Sequence, residues 1–99
     1  MERGSEDLEE VRRIVLRRLA GHRARVYLFG SFARGEASRV SDIDVAIDPL
    51  EPLPVGLVAE IAEDLENSRS IYPVDLVDLT DASERFRSRV LAEGVRWND

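Results

Sequence analysis

The chain has 99 residues, with 20 acidic and 14 basic side chains and a net charge of −6. That length allows one domain, residues 1–99, and excludes two, while a 43% hydrophobic content is too high for a disordered chain. The acidic balance argues against direct nucleic-acid binding driven by charge, and the lack of cysteine removes disulfides and thiolate chemistry.

The chain opens on Met1-Glu2-Arg3-Gly4-Ser5-Glu6-Asp7, too polar for a secretory apolar segment, and no apolar run approaches the length of a membrane span. A cytoplasmic location is expected. From Ser5 to Ala20 the spacing predicts an amphipathic helix, with Leu8, Val11, Val15 and Leu19 on one stripe and Ile14 beside them. Ser5 is the expected cap and Gly21 the expected stop. Glu9, Arg12, Arg13 and Arg17 read as a solvated face.

Arg25-Val26-Tyr27-Leu28-Phe29 predicts a strand that ends at Gly30-Ser31. Phe32 to Arg34 reads as a helical turn and Gly35 to Val40 as a polar loop. A second strand is expected over Asp42-Ile43-Asp44-Val45-Ala46-Ile47, closed by Asp48-Pro49. Its alternation puts Ile43, Val45 and Ile47 on one face and Asp42, Asp44 and Ala46 on the other. Leu50 to Pro54 holds two prolines, directly after Pro49, and reads as a loop. Val55 to Glu66 predicts a helix with a stripe of Val55, Val58, Ile61, Ala62 and Leu65. Val74-Asp75-Leu76-Val77-Asp78 is a third expected strand. Asp81 and Glu84 read as a capping box for a last helix bearing Phe86, Val90 and Leu91. Gly94 ends it, and Val95-Arg96-Trp97 forms a short extended piece. The fold class is therefore α/β (α+β), a small sheet of three or four strands covered by helices.

Three features carry chemistry. Asp42 and Asp44, two apart on a strand, project their carboxylates to the same side. Two bare carboxylates at that spacing repel, and a Mg²⁺ ion, which binds through one or two carboxylates plus substrate phosphates, resolves the conflict. Alone, such a pair is also what a solvent-facing strand shows. Gly30-Ser31, where a strand turns into a helical segment, lets backbone N–H groups and a hydroxyl approach a phosphate. Alone, it equally describes a tight turn. Asp75, between Val74 and Leu76, is a carboxylate inside an apolar strand, a placement expected of a ligand or of a sheet edge. Asp78, at the end of that strand, reads as a turn or capping residue. All 14 cations are arginine, so Schiff-base chemistry and a phosphate-binding lysine are excluded.

Taken together, Gly30-Ser31-Phe32-Ala33-Arg34-Gly35, Ser41-Asp42-Ile43-Asp44-Val45 and Val74-Asp75-Leu76-Val77 resemble the pattern of the DNA polymerase β-like nucleotidyltransferase superfamily, and within it the minimal nucleotidyltransferases (MNT). The resemblance runs from the first helix to the last. It implies that Gly30 and Ser31 hold the β- and γ-phosphates of a nucleoside triphosphate, with Arg34 steadying the triphosphate or the loop. It implies that Asp42 and Asp44 bind two Mg²⁺ ions. Asp75 would complete the metal and catalytic site and help deprotonate an acceptor hydroxyl. The implied chemistry is in-line attack on the α-phosphorus with release of pyrophosphate. Larger members add a domain that recognises the acceptor, for which this chain has too few residues. Minimal members are often encoded beside a small helical HEPN protein, an RNase toxin, which they neutralise by binding or by transferring AMP from ATP to a tyrosine.

Three readings follow: a protein adenylyltransferase acting as antitoxin, a binding module that blocks its partner sterically, and a small-molecule nucleotidyltransferase completed by a partner or by self-association. Arg39 reads as solvated, His22 as a turn residue and Ser41 as shaping the approach to the second strand. Tyr27, Phe29, Phe32 and Phe86 read as core, whereas Tyr72 and Trp97 read as exposed candidates, Trp97 for an interface.

Overall fold

The computed structural model describes residues 3–98. Its elements in chain order are α1 (Ser5–Leu19), β1 (Ala24–Phe29), α2 (Gly30–Arg34), β2 (Ile43–Pro49), α3 (Leu57–Glu66), β3 (Val74–Asp78), a 3₁₀ turn (Leu79–Asp81), α4 (Glu84–Glu93) and β4 (Val95–Arg96). The strands form one mixed sheet in the order β3-β2-β1-β4. β1 is antiparallel to both β2 and β4, and β2 runs parallel to β3.

The sheet is covered on both faces, and this decides what happens to the acids on it. On one face Ile43, Val45 and Ile47 of β2 and Val26 and Leu28 of β1 meet Val11, Val15 and Leu19 of α1 and Leu57, Ile61 and Leu65 of α3. On the other, Tyr27 and Ala46 meet Leu79 and Val90, with Phe86 packed at the margin. Ala46, expected on the same face as Asp42 and Asp44, is thus fully buried. Its small side chain leaves room for α4 to sit close to the sheet.

The same covering buries Asp48, two positions beyond Ala46 and only 2% exposed. Arg87 of α4 bridges it, with Nη2 at 2.8 Å from Oδ1 and 3.0 Å from Oδ2. A carboxylate held in that environment needs a partner cation, because desolvation without one is costly.

Several local expectations shift. The first helix starts at Ser5 with Gly4 as its cap residue, so Ser5 is the first helical residue rather than the cap, and the helix ends at Leu19. Asp81 lies in the 3₁₀ turn; α4 is capped by Ser83, whose hydroxyl accepts from the Phe86 N–H at 3.1 Å. Val55 precedes α3 and is fully exposed, while Leu57 carries the first buried position, giving a Leu57-Ile61-Leu65 stripe that leaves Ala62 exposed. Tyr72 is buried, edge-on to Phe32 with ring centroids 5.0 Å apart.

Trp97 packs against the first core rather than standing free as an interface anchor. Its N–H donates to the Val26 carbonyl at 2.8 Å, and its own carbonyl accepts from Arg12 Nε at 3.1 Å. The Asn98 side chain continues the pairing along β1, accepting from the Val26 N–H and donating to the Ala24 carbonyl.

Arg87→Ala strands the Asp48 charge under α4. It is expected to lower unfolding free energy by about 3 kcal/mol, the low end for a broken buried pair because Arg87 is partly solvated. Urea denaturation at neutral pH measures this, and an unchanged midpoint would refute the account.

Candidate active site

The site forms where β1 ends and β2 and β3 begin. Phe29 pairs with Asp44 across the antiparallel ladder, and Asp44 pairs with Asp75 across the parallel one. Residues opposed in neighbouring strands, about 4.8 Å apart, present their side chains to the same face. Register therefore places the Asp44 and Asp75 carboxylates side by side. Asp42 sits just before β2, which begins at Ile43 rather than at Asp42, and it is exposed. Asp75 is also exposed, because β3 is the edge strand of the sheet.

Gly30 closes the other side. Its φ is +76°, a conformation that side chains disfavour, and it turns β1 directly into α2. A Cβ placed on Gly30 would overlap Asp44 Oδ2 and lie 3.0 Å from Asp44 Cγ. Glycine is required here on two grounds, the backbone angle and the space taken by the carboxylate. Ser31 follows at the start of α2, where the first N–H groups lack intrahelical partners.

Asp44 is half-buried. Burial, then the Asp75 and Asp42 carboxylates, push its carboxyl above the ordinary value, while Arg34 pulls weakly the other way. Among the described residues no ion pair or side-chain hydrogen bond engages Asp42, Asp44 or Asp75. Nor do three or more His, Asp or Glu side chains among them close into a metal cage. The donor set is therefore an open cluster of carboxylates. It suits a hard divalent cation that completes its shell with water and phosphate oxygens.

A pocket of about 300 Å³ opens in front of Asp44, walled by Phe29, Gly30, Ser31 and Arg34 on one side and by Phe86, Arg89, Val90 and Glu93 of α4 on the other. Phe29 and Phe86, expected in the core, are half-buried at this wall with ring centroids 5.8 Å apart. Arg34 is exposed on the rim and paired with Glu36 at 2.8 Å. The contribution of α4 is not legible in the sequence, since nothing local sets Arg89 and Glu93 apart from the other charges of that helix. Asp78 caps the 3₁₀ turn, accepting from the Thr80 N–H at 2.9 Å, which is the turn role expected of it. Ser41 Oγ accepts from the Ser38 N–H at 2.8 Å and so shapes the loop before β2.

Comparison with known proteins agrees with this geometry. The family model described as polymerase beta, nucleotidyltransferase matches residues 21–96. A protein adenylyltransferase, MntA of Shewanella oneidensis, is 38% identical over 69 residues, which is 70% of this chain and 49% of that protein. The chain thus spans about half the length of the curated relatives it matches. A solved toxin–antitoxin complex with AMP-PNP superposes with a TM-score of 0.69 at 30% identity, covering 88% of this chain and 72% of that one. A complex of the tri-AMPylated Shewanella oneidensis HEPN toxin with its MNT antitoxin superposes with a TM-score of 0.63 at 26% identity, covering 91% and 71%.

Two outcomes follow from the geometry. The folded state holds the Asp44 proton to higher pH than the unfolded chain does, so ionising Asp44 costs stability. Asp44→Asn is expected to raise the thermal midpoint at pH 7, by a small margin because the site is half-solvated. That gain should shrink as pH falls from the raised Asp44 value toward the ordinary carboxylate value of about 4, and be gone below it. A midpoint that drops at pH 7 would contradict it. Gly30→Ala is expected to cost about 1–3 kcal/mol through the backbone angle alone, with displacement of Asp44 added, as read by chemical denaturation.

Proposed function

The chain belongs to the polymerase beta nucleotidyltransferase family, and from that premise we propose that it transfers AMP from ATP to a hydroxyl of a partner protein. The observation that carries the reading is the Asp44 carboxylate, unpaired among the described residues and set against the Gly30 backbone with Asp75 beside it. An arrangement kept only for stability would pair that charge, as Asp48 is paired with Arg87.

In this reading Gly30 and Ser31 hold the β- and γ-phosphates, with Arg34 on the rim beside them. Asp42 and Asp44 hold Mg²⁺, two ions being the expected number, and Asp75 completes the set. Bound Mg²⁺ supplies neutralisation of charge on the phosphate oxygens. Asp75, exposed on the edge strand, is placed to accept the acceptor's proton. The acceptor oxygen forms a bond to the α-phosphorus and the bond to pyrophosphate breaks, in line. The raised affinity of Asp44 for a proton means that a cation and a proton compete there, so metal loading strengthens as pH rises through its pKa.

The partner favoured is a small helical HEPN toxin. The relative at 38% identity is named a protein adenylyltransferase, and a neighbouring structure holds an AMPylated HEPN toxin bound to its MNT antitoxin. This chain then acts as the antitoxin in the cytoplasm. No helix among the described residues is long and apolar enough to cross a membrane, which is compatible with that placement.

The test mixes the protein with Mg²⁺, α-labelled ATP and the product of the gene adjacent to its own. Label is expected on that product, with the rate cut at least about a hundredfold in Asp44→Asn, as for loss of a principal electrostatic contact. A stable complex without label, unchanged by Asp44→Asn, would replace the enzyme with a steric inhibitor. Label on an added aminoglycoside instead would reassign the acceptor.

A further inference from the structure

Arg89 and Glu93 face the pocket from α4, opposite Gly30 and Ser31. A nucleoside triphosphate brings about four negative charges to a site already lined by carboxylates, so the protein side needs cations. The chain has no lysine, and the arginines lining this pocket are Arg34 and Arg89. Arg34 is engaged by Glu36 at 2.8 Å. Arg89 is held more loosely, with Nε 3.3 Å from Glu93 Oε2, and its side chain is 71% exposed. An exposed pair one helical turn apart is worth little in water, so moving Arg89 onto a phosphate oxygen costs little. Glu93 acts on both rim arginines, since its charge also favours the protonated form of Arg34.

We infer that Arg89 of α4 is a further triphosphate-binding residue, held ready at the pocket rim by Glu93 and exchanged onto the β,γ-phosphates when nucleotide enters. The inference rests on the nucleotidyltransferase reading and extends it to a helix outside the Gly-Ser and aspartate motifs. It assigns α4 two jobs within one turn: Arg87 anchors the helix to Asp48 of β2, and Arg89 reaches the ligand. The arginine fork suits two phosphate oxygens at once, and an amide in its place loses the charge. Glu93 competes with the phosphates for the same guanidinium, so removing its charge has the opposite effect.

The experiment is calorimetric titration of the full chain with a nonhydrolysable ATP analogue and with AMP, both in Mg²⁺. The proteins are wild type, Arg89→Gln, Arg89→Lys and Glu93→Gln, each checked by circular dichroism. The expected result is about tenfold weaker binding of the triphosphate by Arg89→Gln, with AMP changed less than about twofold, because Lys and Arg contacts to phosphate are charge-assisted. Arg89→Lys, which keeps the charge without the fork, should recover part of the loss, and Glu93→Gln should tighten triphosphate binding about two- to threefold. Unchanged triphosphate binding by Arg89→Gln, or an equal loss for AMP, would overturn the role of Arg89 while leaving the nucleotidyltransferase reading intact. A wild-type chain that binds neither nucleotide would overturn both.

Discussion

The Asp44 carboxylate occupies the space that a side chain on residue 30 would take, and the rest of the site is arranged around that contact. It requires glycine at the end of β1 and a positive φ there, which turns the chain straight into α2. It requires β1 and β2 to be antiparallel neighbours in the register that pairs Phe29 with Asp44. That register in turn sets Asp75 beside Asp44, because β3 adds to the far edge of β2 in parallel. A one-residue slip of β2 against β1 would turn Asp44 toward the core and take Ile43, Val45 and Ile47 out of it. The two cores, one on each face, are what hold the ladder in place.

Two acids on the same face of β2 show how differently the fold treats a charge. Asp44 and Asp48 are four residues apart, with the buried Ala46 between them. Asp48 lies deep under α4 and is bridged by Arg87, which ties the helix to the sheet. Asp44 lies at the open end, half-buried and pushed toward protonation by burial and by its acidic neighbours. The first arrangement satisfies a charge and gains position for α4. The second leaves stability unrealised, which is the pattern expected where a cation or substrate is to supply the missing partner.

Much of this is legible in the residues alone. The alternation Ile43-Val45-Ile47 marks the buried face of β2, and Gly30-Ser31 and Asp42-x-Asp44 mark the site, because each depends on local spacing that the chain itself displays. What depends on contacts between distant segments is not legible. Nothing local says that α4 covers the Asp44 face, so the burial of Ala46 is not legible and Asp48 reads as a strand stop. Asp81 and Ser83 both precede Glu84 at plausible capping distance, and only the path of the 3₁₀ turn selects Ser83. Tyr72 reads as exposed because its partner, Phe32, lies far back along the chain in α2. Trp97 reads as an interface residue because its anchor is the backbone of β1.

The openness of the site bears on the acceptor. Asp44 faces a pocket of about 300 Å³, walled on two sides by α2 and α4, which suits the phosphate chain of a nucleotide more than a whole nucleotide and acceptor together. Asp75 is exposed on an edge strand that no further strand covers among the described residues. A hydroxyl approaching Asp75 from beyond β3 meets no wall among those residues that would select it by shape. In the proposed function, selection comes from the surface that carries the hydroxyl. A protein-borne side chain, docked over the β3 edge and delivered beside Asp75, satisfies that requirement; a small free acceptor would need walls that the described residues do not supply. In the proposed function, the acceptor side is therefore the side that depends on a partner.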